Sequence, residues 1–319
     1  MSGSNDHIGA DAGRYGMATI GEAVERLRQG GLVAVPTETV YGLAADSTNA
    51  AAVAQIYRTK RRPDFNPLIV HVPDMEAAGK LGQFDELATR FATGFWPGPL
   101  TLVVPKAREC PVVAAVTAGL DTIALRCPAH PVMRALLAES DLYLAAPSAN
   151  RSGGISPTTA DHVARSLVDE NLLILDGGPC ESGIESTIIA VNDGGYRILR
   201  PGPVTQEQLE KISGKAPMIA EAGKIEAPGQ LASHYAPSKP LRLGAQSVEA
   251  DEYHIGFGPV AGDQNLSARS DLAEAASLLF AALHDADASR KPRIAVAPIP
   301  DADIGMALND RLRRAAAPK

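Results

Sequence analysis

The sequence predicts a mixed α/β protein, with one large α/β domain followed by a smaller one. Three observations predict it. Short apolar runs bounded by Pro and Gly alternate with amphipathic stretches of helical period from residue 19 to residue 199. The runs 187–191 and 196–199 are separated only by a turn at 192–195, which makes that pair an antiparallel hairpin. A stretch rich in Gly, Ala, Pro and Lys over 213–240 then divides this block from a second, shorter alternation.

Each element has a local reason. Thr19 and Glu22 have capping-box spacing, Ala23, Val24 and Leu27 share the face behind them, and Gly30-Gly31 stops the helix. Residues 32–35 read as a short buried strand ended by Pro36. A helix follows over 49–57, with Val53, Ile56 and Tyr57 apolar, and a strand over 68–72. Phe84, Leu87, Ala88 and Phe91 mark another amphipathic helix. Strands at 100–104 and 122–125, a helix over 130–139 and a strand over 142–146 come next. Thr159 caps a helix through Leu167, and strands at 172–175, 187–191 and 196–199 complete the block. We read it as one domain over 18–212, within the upper range of domain size. Residues 213–240 read as a linker, and 241–319 as a small α/β domain. Its elements are a strand at 253–257, a helix over 271–285 with Leu272, Ala276, Leu279 and Leu283 on one face, a strand at 294–297 and a last helix with Leu308 and Leu312. Residues 1–17 contain no apolar core and read as a flexible tail, not a signal peptide.

Composition removes several function classes. The net charge is −7, and an acidic chain is a poor general binder of nucleic acid, whose phosphates need a surplus of Lys and Arg. Any basic patch must be local, which suits a small phosphorylated ligand. The three cysteines, Cys110, Cys127 and Cys180, are odd in number and lack metal-ligand spacing, so a reducing cytoplasm is the expectation. No apolar run approaches the roughly 18 residues of a membrane span.

Several segments carry chemistry. Pro36-Thr37-Glu38-Thr39-Val40-Tyr41-Gly42-Leu43 lies just beyond a strand, where α/β folds place ligands. Its threonines either face a polar substrate or bond their own backbone in a turn. Arg58-Thr59-Lys60-Arg61-Arg62-Pro63 crowds four cations into five residues. They complement a helix C-terminus or meet an anion, and the prolines favour fixed directions for Lys60 and Arg62. His71, in the strand after it, is a core histidine or a ligand for a carboxylate. Ala145-Ala146-Pro147-Ser148-Ala149-Asn150-Arg151-Ser152 follows another strand and reads equally as a polar loop or a phosphate and base contact. Trp96 in Phe95-Trp96-Pro97-Gly98-Pro99 reads as architecture. Arg200, before Pro201-Gly202, pairs with a surface carboxylate or with a ligand. His234-Tyr235-Ala236-Pro237 is an aromatic pair in an otherwise polar linker and needs something to pack on. No Walker A sequence, G-x-G-x-x-G, Cys-x-x-Cys or nucleophile elbow accompanies these segments. The residues alone therefore reach as far as a locally cationic cleft for a phosphorylated ligand.

Taken together, the segments resemble the YrdC-like family, in particular its long two-domain threonylcarbamoyl-adenylate synthases. The matching pieces run in order from Pro36 to Pro237: PTETVYGLAAD, K-x-R-P-x-x-NPLIVH, FWPGPLTLVV, VTAGLDTIALRCPAHP, APSAN, ESTII, LRPGP and HYAP. The C-terminal IGMALNDRLRRAAA is similar to the end of the family's second domain. The resemblance implies an open twisted sheet, mixed parallel and antiparallel, with a deep positive cavity, followed by a small Rossmann-like α/β domain. It implies that Lys60, Arg62, Ser148 and Asn150 line the nucleotide end, with Lys60 and Arg62 stabilising charge and no covalent nucleophile. It implies that Asn66, Thr122, Ser156 and Arg200 contact ATP, that Thr37, His71, Arg126 and Ser186 hold threonine, and that Tyr235, with His234 beside it, closes over the triphosphate. Arg61 departs from the pattern, because the family often has a small residue such as Gly there, and it adds a charge beside the nucleotide end.

The implied reaction joins L-threonine and bicarbonate to ATP, with Mg²⁺ bridging phosphates and no protein metal ligands. The amine attacks bicarbonate-derived carbon, and the carbamate oxygen then attacks the α-phosphate and expels diphosphate. The implied partners are small substrates and, downstream, the transferase complex that modifies tRNA, with any tRNA contact indirect and no membrane. Two rivals stand beside this reading. One is an RNA-binding module without the activity. The other is a carbamoyltransferase like the YrdC-like domains of hydrogenase-maturation proteins, which the absence of a Cys-x-x-Cys pair disfavours.

Overall fold

The computed structural model describes residues 18–169, 171–192, 194–219, 226–230 and 233–318. The expected tail, 1–17, lies outside the described residues, as do 220–225 and 231–232 of the expected linker.

The capping box at Thr19 opens α1 (Ile20–Arg28). The Glu22 N–H donates to Thr19 Oγ1 at 3.3 Å, and the Thr19 N–H donates to Glu22 Oε2 at 2.8 Å. β1 (Val33–Val35) follows. The sequence reads residues 36–43 as loop, but the chain turns back into β2 (Gly42–Asp46), antiparallel to β1. Gly42, Leu43, Ala44 and Ala45 are all buried, so this strand is covered on both faces and shows no polar alternation to read. Asn49 caps α2 (Ala50–Lys60), its Oδ1 accepting from the N–H groups of Ala51 and Ala52. This helix runs three residues past Tyr57 and stops at Arg61, whose φ of 51° is left-handed. Gly is the usual residue at such a cap, and a side chain there costs roughly 1–2 kcal/mol.

Next come β3 (Ile69–His71), α3 (Met75–Leu81), α4 (Glu86–Phe95), β4 (Leu100–Pro105), α5 (Ala114–Thr117), β5 (Thr122–Arg126) and α6 (Pro131–Ser140). β6 (Leu144–Ala145), α7 (Ala160–Leu167), β7 (Leu173–Ile174), β8 (Thr187–Asn192), β9 (Gly195–Arg200) and α8 (Gln206–Ser213) complete the first block. α3, α5 and α8 are absent from the sequence reading. The first two span two turns or fewer and show no full amphipathic period. α8 carries a capping box at Thr205 and Gln208 that was there to be read.

Nine strands form one mixed sheet in the order β7-β1-β2-β6-β3-β5-β4-β8-β9. β8 and β9 pair antiparallel across the expected turn. Alternation divides the sheet into two faces. Val70, Leu102, Val104, Ile123 and Leu125 enter the main core, which α2, α3 and α4 also feed. Ile69, Val103, Ala124, Ile188 and Leu199 point the other way and pack with Ala227 of the linker. That second face is the floor of the site.

The C-terminal sheet contains β10 (Leu241–Leu243), β11 (Glu252–Gly256), β12 (Gln264–Asn265) and β13 (Arg293–Val296), all parallel, in the order β10-β13-β11-β12. It carries α9 (Leu272–Ala288) and α10 (Ile304–Ala316). Its core takes in Val40, Ile155, Ile184 and Tyr235 beside Leu279 and Phe280, so it packs directly against the site-bearing loops. His162 and His284 stack across the same contact at 3.9 Å. Among the described residues no helix is long and apolar enough to cross a membrane.

Candidate active site

A cavity lies on the floor face of the large sheet, under the linker, with about 550 Å³ of empty space when the open solvent at its mouth is included. Period-two alternation delivers its base: Ile69 and His71 from β3, and Arg126 from the end of β5. The turn before β2 brings Thr37 and Thr39, and the chain beyond β6 brings Ser148. Glu185 and Ser186 precede β8, and Arg200 ends β9. Pro228, Gly229 and His234 form the roof.

Three cations converge here. Lys60 is 1% exposed, and its Nζ donates to the Ser148 carbonyl at 2.5 Å and to the Asn150 carbonyl. Arg62 donates from Nε to the Asn66 carbonyl at 3.1 Å and from Nη2 to the Pro67 carbonyl at 2.8 Å. Arg200 donates from Nε and Nη2 to the Ser186 carbonyl at 3.1 and 2.9 Å. Among the described residues none of the three has a carboxylate within ion-pair distance. Burial, with Arg62 nearby, pulls Lys60 well below its usual value. Burial lowers Arg62 to about 10, and it lowers Arg200 as well. Neutral carbonyls orient these groups without cancelling their charge, so the site is prepared for an anion.

Unpartnered polar atoms gather in the same place. His71 Nδ1, both side-chain polar atoms of Asn66 and His234 Nδ1 are buried with no hydrogen-bond partner among the described residues, while the Tyr235 hydroxyl stands against Arg200. Most buried polar groups are paired, so such a cluster marks a ligand site. Burial, with Arg126 beside it, drives His71 down to about 3, so the ring is neutral. Burial and the surrounding cations, Arg62 first, also hold His234 well below its usual value.

The opposite end is already partly neutralised. Arg126 Nη2 lies 2.7 Å from Glu38 Oε1, and Arg126 Nη1 donates to Thr39 Oγ1 at 2.9 Å. Burial opposes the charge on Glu38, but Arg126 outweighs it and holds the carboxyl below its usual value. Thr37 Oγ1 donates to the Val40 carbonyl at 2.7 Å and accepts from the Val40 N–H at 3.2 Å. The turn reading of Thr37 therefore describes its hydrogen bonds, although the residue also lines the cavity.

Of the residues singled out in the sequence, Thr37, Arg62, His71, Arg126, Ser148, Ser186, Arg200 and His234 line this cavity. Lys60 and Asn150 stand behind Ser148, where the Ser148 hydroxyl donates to Asn150 Oδ1 at 2.5 Å. Asn66 holds Arg62 through its carbonyl. Tyr235 is fully buried behind the roof. Two further expected residues lie outside this lining. Ser156 is buried outside the lining, and its hydroxyl donates to Glu185. Thr122 shares the face of Arg126 but sits four residues, roughly 13 Å, down the strand. It borders a separate hollow with Val103, Ala190 and Arg197, and Ala227 packs on the floor between the two. Arg61 is exposed at its left-handed cap, so its charge does not enter the nucleotide end. Sequence reasoning missed Glu38, Thr39 and Glu185, all inside quoted segments. The signal was a carboxylate set among residues expected to bind anions.

Comparison with known proteins gives the family. A family model described as telomere recombination, covering the Sua5, YciO and YrdC proteins, matches residues 25–202. A second, described as the C-terminal domain of threonylcarbamoyl-AMP synthase, matches residues 204–317. The threonylcarbamoyl-AMP synthase of Bacillus subtilis is 39% identical over 93% of this chain and 92% of its own. That of Pyrococcus abyssi is 38% identical over 91% of each. The crystal structure of P. abyssi Sua5 complexed with L-threonine matches with a TM-score of 0.85 at 36% identity, covering 93% of this chain and 94% of that one. The chain therefore belongs to the Sua5/YciO/YrdC family and carries the C-terminal domain of the family's threonylcarbamoyl-AMP synthases.

Proposed function

We propose that this chain makes threonylcarbamoyl-AMP and diphosphate from L-threonine, bicarbonate and ATP. The observation that carries the reading is the set of three buried cations, Lys60, Arg62 and Arg200, held by carbonyls, with no carboxylate in ion-pair range among the described residues. A triphosphate supplies the missing charge. Arg62 and Arg200 touch it directly, while Lys60 fixes the Ser148-Asn150 loop as its wall. Asn66 offers its unpartnered side-chain atoms nearby, and Tyr235 stands against Arg200. Ser156 acts through Glu185, and Thr122 reaches the nucleotide only where the linker lifts from the floor.

At the other end, Ser186, His71 and the Thr37 turn hold threonine. Ser186 Oγ is tied to Thr101 Oγ1 at 2.8 Å and to Arg200 Nη2 at 3.2 Å, so it couples the two substrates. Arg126 orients the amino-acid carboxylate while sharing its charge with Glu38. The threonine amine attacks the carbon of bicarbonate, whose C–OH bond breaks with loss of water, and a carbamate forms. The carbamate oxygen then attacks the α-phosphorus, and diphosphate leaves with its charge offset by Arg62 and Arg200. No covalent enzyme intermediate is needed, and catalysis rests on positioning and charge neutralisation. His234 and Tyr235 keep water from the carbamate.

Mg²⁺ fits this scheme as a companion of the triphosphate. Among the described residues no cluster of three or more His, Cys, Asp or Glu could hold a metal, and Glu38 and Glu185 are engaged by arginines. The product is destined for a tRNA-modifying transferase in the cytoplasm, and contact between this chain and tRNA is indirect. Diphosphate release measured with each substrate omitted in turn tests the reading. Release must need both threonine and bicarbonate, and release that ignores threonine would overturn it.

A further inference from the structure

We propose that Arg311, in the last helix of the second domain, is a positioning residue for the site: it seats Tyr235 over the cavity and fixes Glu185 beside it. The inference rests on the reaction proposed above, and it gives the second domain a part in that reaction.

Arg311 projects from α10 into the first domain and is 0% exposed. Its Nε donates to Glu185 Oε2 at 2.9 Å and its Nη2 to the Glu185 carbonyl at 3.3 Å. Its Nη1 donates to the Pro201 carbonyl at 2.8 Å and to Asp310 Oδ2 at 3.0 Å. The guanidinium carbon lies 5.4 Å from the centre of the Tyr235 ring. One side chain from another domain thus gathers three segments that build the cavity: Glu185-Ser186, Arg200-Pro201 and His234-Tyr235. Glu185 lines the cavity and in turn takes the Ser156 hydroxyl.

Tyr235 needs such a seat. Its φ of 62° is left-handed, which a residue with a side chain adopts at a cost of roughly 1–2 kcal/mol. Phe280 of α9 lies 5.6 Å from the ring, and the Arg314 carbonyl of α10 accepts the His234 N–H at 3.2 Å. A Cβ on Gly229 would come within 2.8 Å of the Tyr235 hydroxyl and 2.9 Å of Arg200 Cδ, so the seated ring reaches the arginine of the site. Domain adhesion alone does not call for this arrangement, because apolar packing substitutes well for a buried ion pair. A planar fork that bonds one carboxylate and one carbonyl while facing a ring is a task for which lysine is no substitute.

The test uses the full chain with Arg311→Lys, which keeps a cation beside Glu185, and the neutral pair Glu185→Gln/Arg311→Gln, which leaves no unpaired buried charge. Hydrogen exchange is followed in the peptide 233–237 and in α9, together with product formed per ATP consumed. In the lysine variant, exchange at 233–237 should rise about tenfold while α9 stays protected, and product per ATP should fall about threefold or more. Wild-type exchange and wild-type yield in both variants overturn the proposal. Equal loss of protection in α9 and 233–237 also overturns it, because Arg311 would then be domain adhesive only. If the wild-type protein makes no product yet 233–237 loosens selectively, the reaction falls and the seat stands.

Discussion

Arg62 and Arg200 reach one cavity from segments far apart in sequence, and each guanidinium is held by backbone carbonyls with no carboxylate in ion-pair range among the described residues. Burial first, and Arg200 after it, lower the proton affinity of Arg62, so the two like charges disfavour each other across the cavity. Glu185 and the neighbouring tyrosines offset part of this charge, and a bound anion would relieve the rest. A structural arginine pair would be matched by carboxylates, as Arg126 is by Glu38.

Removing either unopposed arginine should affect catalysis more than folding. In Arg62→Ala and Arg200→Ala we expect threonine-dependent diphosphate release to fall by about 10²-fold or more, the scale of lost charge stabilisation at a reacting centre. The Pro67 and Ser186 carbonyls lose their donors in these variants, so a modest drop in melting temperature should accompany the much larger loss of turnover. Steady-state assays beside thermal unfolding check this, and wild-type turnover in both variants would remove these arginines from the site.

Lys60 should behave differently. Its ammonium satisfies the Ser148 and Asn150 carbonyls from within the wall. The Ser148 carbonyl also accepts the Asn150 N–H at 3.0 Å, so Lys60→Ala deprives the Asn150 carbonyl of its donor, at a cost of about 1–3 kcal/mol, besides lowering turnover. Denaturant unfolding measures the loss. Unchanged stability would mean that the ammonium does not hold the loop.

Acid should weaken the fold through His71. The unfolded chain binds a proton on this ring below about pH 6.5, whereas the folded ring stays neutral until about 3. The stability is complete above the unfolded value and is lost as pH falls through that window. At about pH 5 the loss is about 2 kcal/mol for this one ring. Stability compared at about pH 7 and pH 5 should therefore drop less in His71→Asn than in the wild type. Equal drops would show that the ring is not held neutral.

Arg61 offers a stabilising change. Its left-handed φ and exposed side chain favour glycine, so Arg61→Gly should raise stability by up to about 1 kcal/mol and leave turnover intact. A fall in stability would mean that the arginine side chain makes a compensating interaction.

Local chemistry explains what the sequence made legible. The Thr19 capping box, the β8–β9 hairpin and the residues at strand ends all depend on neighbours a few positions apart. β2 escaped because a strand buried on both faces carries no alternation. Thr122 shares the face of Arg126 but borders a neighbouring hollow, and the packing of Ala227 on the floor, which no local pattern announces, sets it apart from the main cavity. The Glu185–Arg311 contact spans 126 positions, and no local pattern announces such a partner. Arg61 was readable as a departure, and its backbone angle supplies the reason.

The most direct measurement is mass spectrometry of the reaction mixture after incubation with L-threonine, ATP, Mg²⁺ and ¹³C-labelled bicarbonate. The account predicts an adenylate carrying both threonine and the labelled carbon, formed in step with diphosphate and lost in Arg62→Ala. ATP cleavage that yields no such adenylate, or an adenylate without the label, would contradict it.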